Sequence, residues 1–462
     1  MIFPPELLAE ILVYCMEDTA VHIPPSRQIF DSWNLALVSS QWRQVVMNEP
    51  RLWTTITLSS TPHTNFRSDA ESVFERSARR PSLLLTLKIA TRGSLRLSDP
   101  DDFVRWAFER HGHRIVSLEC SLATIGSIEE FLCLPAGLFA SLISVTLQLP
   151  LNDGIDPSFV TVPSEVRVFK EIPNLRTATI QVRSLQDFYF RLGLPWDRLT
   201  VLKLSATGAV MSGVAQIFYR CTALVELYLV LDAVQQMSWA QICRSFPPIR
   251  RINFLMLPNL RVLHAAVETG DGESLCGLLR RCVLPSLTMV HMHFGSRLWA
   301  ANEAFRWVVE ALARLSPPVM YLDVSGVPHV DVDRCIQAFP LLEIVIAQDA
   351  YIDSPVLKQM AQGECGNRLR WMECAVWRRG AEDLLEMLEG RWAAEALRQA
   401  RAVGERVGES EMACVSLERV VIFYGGEGGG MSEEWGAIIH RIGVIRQRYG
   451  INDGRIQFVR SG

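Results

Sequence analysis

A short apolar motif that recurs along most of the chain constrains the fold more than any other feature of the sequence. The motif is Leu-x-x-Leu-x-Leu or a close variant. Successive copies begin 22 to 36 residues apart, except for the longer interval before the last copy. The copies begin at Ile115, Leu142, Leu175, Leu199, Leu224, Leu260, Leu287, Val319, Leu341, Leu369 and Leu417. Alternate residues of a β-strand point to opposite sides, so each copy predicts a short strand whose leucines enter a core.

The segments between the copies carry helical patterning. From Glu303 to Leu315, for example, apolar residues recur at the three- and four-residue spacing of one helix face. Pro173, Pro258 and Pro285 each stand shortly before a strand motif, where proline ends the preceding helix. A short strand followed by a helix, repeated at a period of about 20–29 residues or slightly more, is typical of a leucine-rich-repeat solenoid.

We therefore expect an α/β fold, with an irregular leucine-rich-repeat-like solenoid over residues 115–424 that has parallel strands on its concave face and helices outside. The asparagine that follows the strand in more regular repeats is mostly missing, so a conventional α/β sheet stays open as an alternative. Residues 59–114 are expected to form a connecting segment or the first repeats. Residues 425–462 are expected to cap the open end of the array.

Residues 1–58 differ from the array and predict a short all-α unit. A first helix begins at Pro5, with Glu6 at the positive end of the helix dipole, and its apolar residues fall on one face. A second helix is predicted to open near Ser32 and to end before Pro50, with an apolar stripe that includes Trp42. So small a unit cannot bury both stripes alone, and part of this surface must meet a partner or the rest of the chain.

Three separated blocks of this segment resemble a known family. They are FPPELLAEIL (3–12), LALVSSQWR (35–43) and PRLW (50–53). In this order they resemble the F-box, in the form common in mushroom-forming fungi. The resemblance covers only about the first 53 of the 462 residues.

In that family the F-box docks onto the Skp-type linker of a cullin-RING ubiquitin ligase, and leucine-rich repeats often follow it. The resemblance therefore implies a substrate-recognition adaptor of an SCF (Skp–cullin–F-box) ligase, whose partners are the Skp-type linker, through it a cullin, and an unknown target protein. The residues implied to line the linker contact, or to support it from behind, are Pro5, Leu7, Leu8, Ile11, Leu35, Val38, Trp42 and Trp53. Met16 to Phe30 is longer than the family's usual inter-helix segment, so an interaction scaffold with a vestigial F-box and no ligase role stays open.

The residues between the leucines of each motif are expected to point away from the core, onto the concave face. This face mixes aromatic and charged side chains, which suits protein recognition, and it lacks the Lys and Arg dominance of a nucleic-acid interface. The candidates for target binding are Lys203, Glu226, Tyr228, His264, His291, Tyr321, Asp323 and Trp371.

Composition and charge exclude several classes of protein. Lys and Arg number 46 and Asp and Glu number 50, so nothing in the net charge attracts nucleic acid or an anionic membrane. No apolar run reaches the roughly 18 residues of a transmembrane helix, and the N-terminus lacks the basic start of a signal peptide. The 11 cysteines form no C-x-x-C pair. We therefore expect reduced thiols, a cytoplasmic or nuclear location, and neither nucleic-acid nor membrane partners.

No residue pattern predicts catalysis or cofactor binding. The glycine-rich run 425–430 follows an apolar strand but lacks the Lys-Ser/Thr of a phosphate loop, so it predicts a flexible turn. His291 and His293 lie on one strand face and could touch a metal, yet no third ligand stands at a useful spacing. Neither G-x-S-x-G nor H-E-x-x-H is present. The sequence thus predicts a protein that is not an enzyme, with no catalytic residue, metal or cofactor.

Overall fold

The structure is a computed structural model of the chain, which forms two compact units, Met1–Thr207 and Gly208–Gly462. The residues that it describes are 4–16, 19–23, 32–59, 66–80, 82–90, 103–122, 125–149, 167–169, 172–182, 192–207, 211–232, 254–268, 272–295, 306, 309–310, 312–313, 317–327, 330–376, 380–402, 417–424, 433–449 and 456–460. None of the described helices is both long and apolar enough to span a bilayer.

The first unit is a parallel sheet whose strands are connected largely by helices. Its elements are α1 (Pro5–Cys15), β1 (Val21–Ile23), α2 (Ser32–Leu35), α3 (Ser40–Asn48), β2 (Thr55–Ser59), α4 (Phe66–Ala78), β3 (Leu85–Ala90), α5 (Phe103–His111), β4 (Ile115–Ser121), α6 (Ile125–Leu132), β5 (Ser144–Leu149), β6 (Thr177–Val182) and β7 (Val201–Thr207). A 3-10 turn, Pro50–Trp53, leads into β2. Among the described residues, strands β1 to β7 lie side by side in chain order, and each neighbouring pair is parallel.

The second unit repeats this architecture. Its elements are α7 (Met211–Arg220), β8 (Glu226–Asp232), β9 (Leu255–Met256), β10 (Val262–Val267), α8 (Gly272–Leu279), β11 (Cys282–Val283), β12 (Met289–Phe294), β13 (Tyr321–Gly326), α9 (Val332–Ala338), β14 (Ile344–Ile352), α10 (Ser354–Gln362), β15 (Trp371–Val376), α11 (Ala381–Ala402), β16 (Arg419–Tyr424), α12 (Glu433–Tyr449) and β17 (Ile456–Arg460). The parallel sheet has the order β8-β10-β12-β13-β14-β15-β16-β17, and β9 pairs separately with β11.

The recurring motif sets the register of the strands within each unit. Its second apolar residue pairs with the equivalent residue of the next strand. In the first unit this row is Leu118, Val145, Ala178 and Leu202. In the second unit it is Leu227, Leu263, Val290, Leu322, Val345, Met372 and Val420. The copy predicted to begin at Leu341 is wrong by one residue, because Leu342 and Val345 are buried whereas Leu341 and Ile344 are half-exposed. Every residue of both rows is at most 1% exposed, and burial of a large apolar side chain is worth about 1.5–3 kcal/mol. The prediction of an α/β fold with parallel strands and helices is confirmed, and the arrangement is consistent with a solenoid-like chain.

The N-terminal segment holds a strand as well as helices, so the structure does not show the all-α unit that the sequence predicts. Strand β1 lies between α1 and α2, in the segment expected to be a loop, and pairs in parallel with β2. Val21 and Ile23 of β1 are fully buried. Strand β1 thereby covers the edge of β2, whose backbone groups would otherwise lack partners on that side.

The predicted second helix is divided in two. Helix α2 ends at Leu35, and α3 starts at Ser40 after a turn. The division follows from Ser39, whose side-chain oxygen accepts the backbone N–H of Trp42 at 3.1 Å. Such a cap satisfies a donor at a helix N-terminus, so it favours a new helix over continuation of the old one.

A buried arginine holds the turn that leads into β15. Arg391 of α11 is 1% exposed, and its guanidinium donates to the carbonyl oxygens of Gly366 at 2.5 Å and Leu369 at 3.1 Å. Gly366 has a φ of 60°, a conformation that favours glycine. Because Leu369 lies two residues before the first residue of β15, this anchor helps to position Trp371 and Glu373.

The carboxyl group of Asp333 makes the stability of the second unit depend on pH. Its carboxylate accepts the backbone N–H of Asp353 at 3.2 Å. Burial, followed by the charges of Asp353 and Asp331, nevertheless raises the pKa of Asp333 to about 7. In the unfolded chain this carboxyl ionises near its ordinary pKa of about 4. The folded state is therefore increasingly disfavoured as the pH rises from about 4 to about 7.

We expect Asp333→Asn to stabilise the protein at alkaline pH, because the amide oxygen can still accept the N–H of Asp353 while the buried charge is removed. By calorimetry, the gain in melting temperature should be about 2–4 °C larger at pH 8 than at pH 4.5. Glu364→Gln, which removes an exposed carboxylate of the same unit, is the control. A gain for Asp333→Asn that does not depend on pH would contradict this account.

Candidate interaction surfaces

Helix α1 has two apolar faces, and only one of them packs against the chain. Leu8 and Leu12 are buried. Leu7, Ile11 and Tyr14 follow the four- and three-residue spacing of a different face, and they are 56%, 46% and 79% exposed. We call these three residues the α1 stripe. Apolar side chains grouped on one helix face and left in water are typical of an interaction site.

The turn between α2 and α3 exposes two further apolar side chains. Leu37 is 73% exposed and Val38 is 60% exposed. Both owe their position to the break in the helix, because Leu35 before them is buried and Ser39 after them caps α3. We call Leu37 and Val38 the turn pair.

Trp53 fixes the framework behind these residues. It is fully buried, and its indole Nε1 donates to the carbonyl oxygen of Val46 at 2.8 Å. Its ring meets Trp33 edge to face, with 5.2 Å between ring centroids. The guanidinium of Arg76 lies 4.8 Å from the Trp53 ring centroid, a cation–π distance. These contacts join α2, α3, α4 and the 3-10 turn into one packed support.

Arg51 ties α1 to the residue that follows α3. Its guanidinium lies 2.7 Å from a carboxylate oxygen of Glu10 and 2.8 Å from one of Glu49. Hydrogen bonds from Arg51 hold the pKa of both Glu10 and Glu49 below the ordinary value. Because Glu10 is next to Ile11 in the helix, the double ion pair helps to orient the α1 stripe.

The structure divides the eight residues implied by the F-box resemblance into surface and core. Pro5, Leu7, Ile11 and Val38 are exposed, and Trp42 is half-buried. Leu8, Leu35 and Trp53 are core residues that lie behind the surface. The sequence reasoning did not include Tyr14 or Leu37 among the site residues. Helical spacing from Ile11 could have revealed Tyr14, whereas the exposure of Leu37 depends on the break between α2 and α3.

A second candidate surface lies on the half-exposed face of the sheet in the second unit. Tyr228, His264, His291 and Asp323 occupy one register row across β8, β10, β12 and β13. The ring of Tyr228 stacks on that of His264 with 4.2 Å between centroids, and the ring of His264 stacks on that of His291 at 3.9 Å. Neighbouring strands lie about 4.8 Å apart, so aromatic residues in one row meet face to face.

A carboxylate closes one end of this ring stack. Asp323 Oδ2 lies 3.3 Å from His291 Nδ1. Asp323 Oδ1 accepts the hydroxyl of Ser325 at 2.7 Å and its backbone N–H at 3.1 Å. Burial raises the pKa of Asp323, but the hydrogen bonds from His291 and Ser325 outweigh it and hold the pKa below its ordinary value. Asp323 is therefore a carboxylate anion at neutral pH.

A second polar cluster occupies β14, β15 and β16. The indole Nε1 of Trp371 donates to one oxygen of Glu373 at 2.9 Å, and the amide of Gln348 donates to the other at 3.3 Å. Glu373 is 7% exposed, so its carboxyl group is largely shielded from water. The guanidinium of Arg419 lies 4.5 Å from the centroid of the Trp371 ring.

Tyr321 lies between the ring stack and the second cluster. Its ring centroid is 4.7 Å from that of His291. Burial, followed by the charges of Asp323 and Glu373, raises the pKa of Tyr321. Its hydroxyl therefore keeps its proton at neutral pH and can donate a hydrogen bond. We call the whole set the ring strip, which consists of Glu226, Tyr228, His264, His291, Tyr321, Asp323, Trp371, Glu373 and Arg419.

A shallow pocket of about 180 Å³ opens beside the ring strip. It lies where Ala266 is paired in register with the larger residues Val230 and His293. Tyr228, His264, His291, Asp323 and Ser325 also line it. Pockets for small-molecule ligands usually measure about 300–1,000 Å³. The size of this pocket therefore suits a single amino-acid side chain better than a cofactor.

Seven of the eight predicted target-binding residues share this face, namely Glu226, Tyr228, His264, His291, Tyr321, Asp323 and Trp371. The eighth, Lys203, is exposed on β7 in the first unit. Arg419 and Ser325 were not predicted. Arg419 stands between the apolar residues of the last motif copy, so the same alternation could have revealed it.

The sequence also offers a possible metal-binding histidine pair and a glycine-rich run, of which the structure describes only the histidine pair. Within the described ranges, no three His, Cys, Asp or Glu side chains are grouped so that they could hold a metal ion. His291 and His293 lie on one face of β12, as the alternation predicts. The glycine-rich run 425–430 lies outside the described residues.

The chain matches no protein-family model and no curated protein. Any function must therefore be inferred from the contacts, exposure and charge of the residues above.

We expect opposite effects from substitution of the neighbours Leu7 and Leu8. Leu8→Asp replaces a packed side chain with a buried carboxylate and should lower the free energy of unfolding by at least about 3 kcal/mol. Leu7→Asp adds an exposed carboxylate near a helix N-terminus and should change it by less than about 0.5 kcal/mol. Chemical denaturation followed by circular dichroism measures both. Equal losses would show that the two faces of α1 are wrongly assigned.

Proposed function

We propose that the chain is the substrate-recognition adaptor of an SCF-type ubiquitin ligase, with its N-terminal segment docked on a Skp-type linker and, through it, on a cullin. The observation that carries the proposal is the exposure of the α1 stripe and the turn pair, five apolar side chains within the segment that resembles an F-box. A cytoplasmic or nuclear site of action is part of the proposal, because such ligases work there.

The physical case rests on exposed apolar area above a rigid support. Each square ångström of apolar surface that a partner covers is worth about 25 cal/mol. The contacts of Trp53 and the ion pairs of Arg51 hold the support in place before a partner arrives. Binding therefore requires little ordering of the N-terminal segment, and more of the contact energy remains as affinity.

In this proposal the chain performs no bond chemistry of its own. The N-terminal segment binds the linker, and the sheet face of the second unit, with its ring strip, binds the target protein. Holding the target on the ligase raises the effective concentration of its lysines near the charged ubiquitin carrier. Mixed aromatic and charged residues such as Tyr228, Tyr321 and Trp371 are of the kind that dominates protein interfaces.

The decisive variant is Leu7→Asp combined with Ile11→Asp, which leaves the buried face of α1 intact. Binding of the full chain to a purified Skp-type linker should weaken by more than about 30-fold, because a central apolar anchor contributes about 2 kcal/mol or more. Surface plasmon resonance measures the affinity. Val444→Asp, which replaces an exposed apolar residue of α12, is the matched control and should bind normally. Absence of linker binding by the unsubstituted chain would overturn the proposal.

One observation favours a second function, an interaction scaffold with a vestigial F-box. Strand β1 interrupts the helices of the N-terminal segment and pairs with β2, which departs from the all-helical unit that the resemblance implies. In this alternative the ring strip still binds a protein, but the α1 stripe does not bind a Skp-type linker. The linker-binding measurement distinguishes the two functions.

A further inference from the structure

We infer that the ring strip binds an extended segment of its target through an arginine or lysine side chain of that segment. The inference rests on the proposed role of the second unit in target binding. It adds the chemistry by which the target would be recognised.

The first argument is the charge of the strip. Its carboxylates, Glu226, Asp323 and Glu373, are spread over β8, β13 and β15. Within the described residues, none of the three forms an ion pair with a lysine or arginine. Asp323 is instead paired with His291, and Glu373 with the indole of Trp371 and an amide. The face therefore carries negative charge that a cation from a partner can neutralise.

The cationic groups of the strip are few. Arg419 is its one arginine, and its guanidinium lies over the ring of Trp371. His264 and His291 face the same side and are stacked on each other. With these groups counted, three carboxylates still outnumber the single guanidinium.

The second argument is the aromatic surface. Tyr228, Tyr321 and Trp371 place rings beside the carboxylates, and an arginine or lysine head within about 6 Å of such rings is attracted to them. The contact between Arg419 and Trp371 is an example of this attraction on the strip itself. A planar guanidinium can also bind a carboxylate through two parallel hydrogen bonds, which favours arginine over lysine.

The third argument is shape. From β8 to β16 the strip crosses six inter-strand steps, which is about 29 Å at about 4.8 Å per step. An extended peptide at about 3.3 Å per residue covers this length with about nine residues. Half-exposed apolar residues lie in the same register rows, namely Val262, Met289, Ile344 and Ile346. The segment that fits best is therefore short, extended and apolar, with one or two basic residues.

The test uses the purified full chain and immobilised nonapeptide mixtures, each with one amino acid fixed at one position and the others random. We expect mixtures with fixed arginine or lysine to retain at least about five times more protein than those with fixed glutamate or aspartate. In the selected peptide, citrulline in place of arginine keeps the shape and removes the charge. It should weaken binding at least tenfold in a fluorescence polarisation titration.

Variants connect this selectivity to the strip. Glu226→Gln and Asp323→Asn remove charge without loss of volume, and each should weaken binding of the selected arginine peptide at least fivefold. Glu226→Gln is the variant less prone to misfolding, because the Glu226 side chain makes just one long contact among the described residues, at 3.5 Å to the Tyr228 hydroxyl. Glu389→Gln is the matched control, since it removes a carboxylate of α11 that pairs with Arg448. It should bind as the unsubstituted chain does.

Four results would overturn the inference: no retained peptide, preference for acidic or uncharged positions, full affinity in both strip variants, or self-association of the chain that the strip variants abolish. The last would mean that a second copy of the chain covers the strip. Linker binding through α1 is measured separately. If the linker does not bind but the selectivity for basic peptides is intact, the ligase function is contradicted and the inference is not. If the linker binds but the selectivity for basic peptides is absent, the inference is contradicted and the ligase function is not.

Discussion

The alignment of one apolar position across successive parallel strands is the constraint on which each unit depends. Leu118 and Leu202 belong to one such row, and Leu227 and Val420 belong to the other. A slip of one residue in any strand would turn its apolar side chains toward water, so burial and hydrogen bonding select the same register. The same alignment places the residues between the leucines in rows on the opposite face. The ring stack on that face is therefore a direct consequence of the core.

The two candidate surfaces differ in chemistry. On α1, the exposed residues are apolar, and the Arg51 ion pairs and the buried Trp53 support them. On the ring strip, aromatic rings lie beside carboxylates, among which Asp323 and Glu373 are held by hydrogen bonds. An apolar stripe gains most from a partner that covers it completely, whereas a strip with uncompensated charge selects among partners by their charge. This difference fits the proposal that the α1 stripe always binds the same partner, whereas the ring strip binds a partner that is selected by its charge.

Much of the fold could be predicted because the motif has the period of a strand and recurs at the length of a strand–helix unit. The same alternation predicted the shared face of Tyr228, His264 and His291. It could not predict the stacking distances or the hydrogen bonds of Glu373, which depend on register between segments far apart in sequence. Strand β1 was missed because three residues are too few for a periodic pattern. The division of the second helix was missed because the cap at Ser39 outweighed a continuous apolar stripe.

The claim that the α1 stripe is a surface for a foreign subunit is tested most directly by hydrogen–deuterium exchange of the full chain with and without a Skp-type linker. Exchange reports local opening, which a bound partner suppresses where it binds. The account predicts slower exchange in Pro5–Cys15 and in the turn that holds Leu37 and Val38, with no change in Val262–Val267 or Met289–Phe294. Unchanged exchange in Pro5–Cys15 at saturating linker would contradict it.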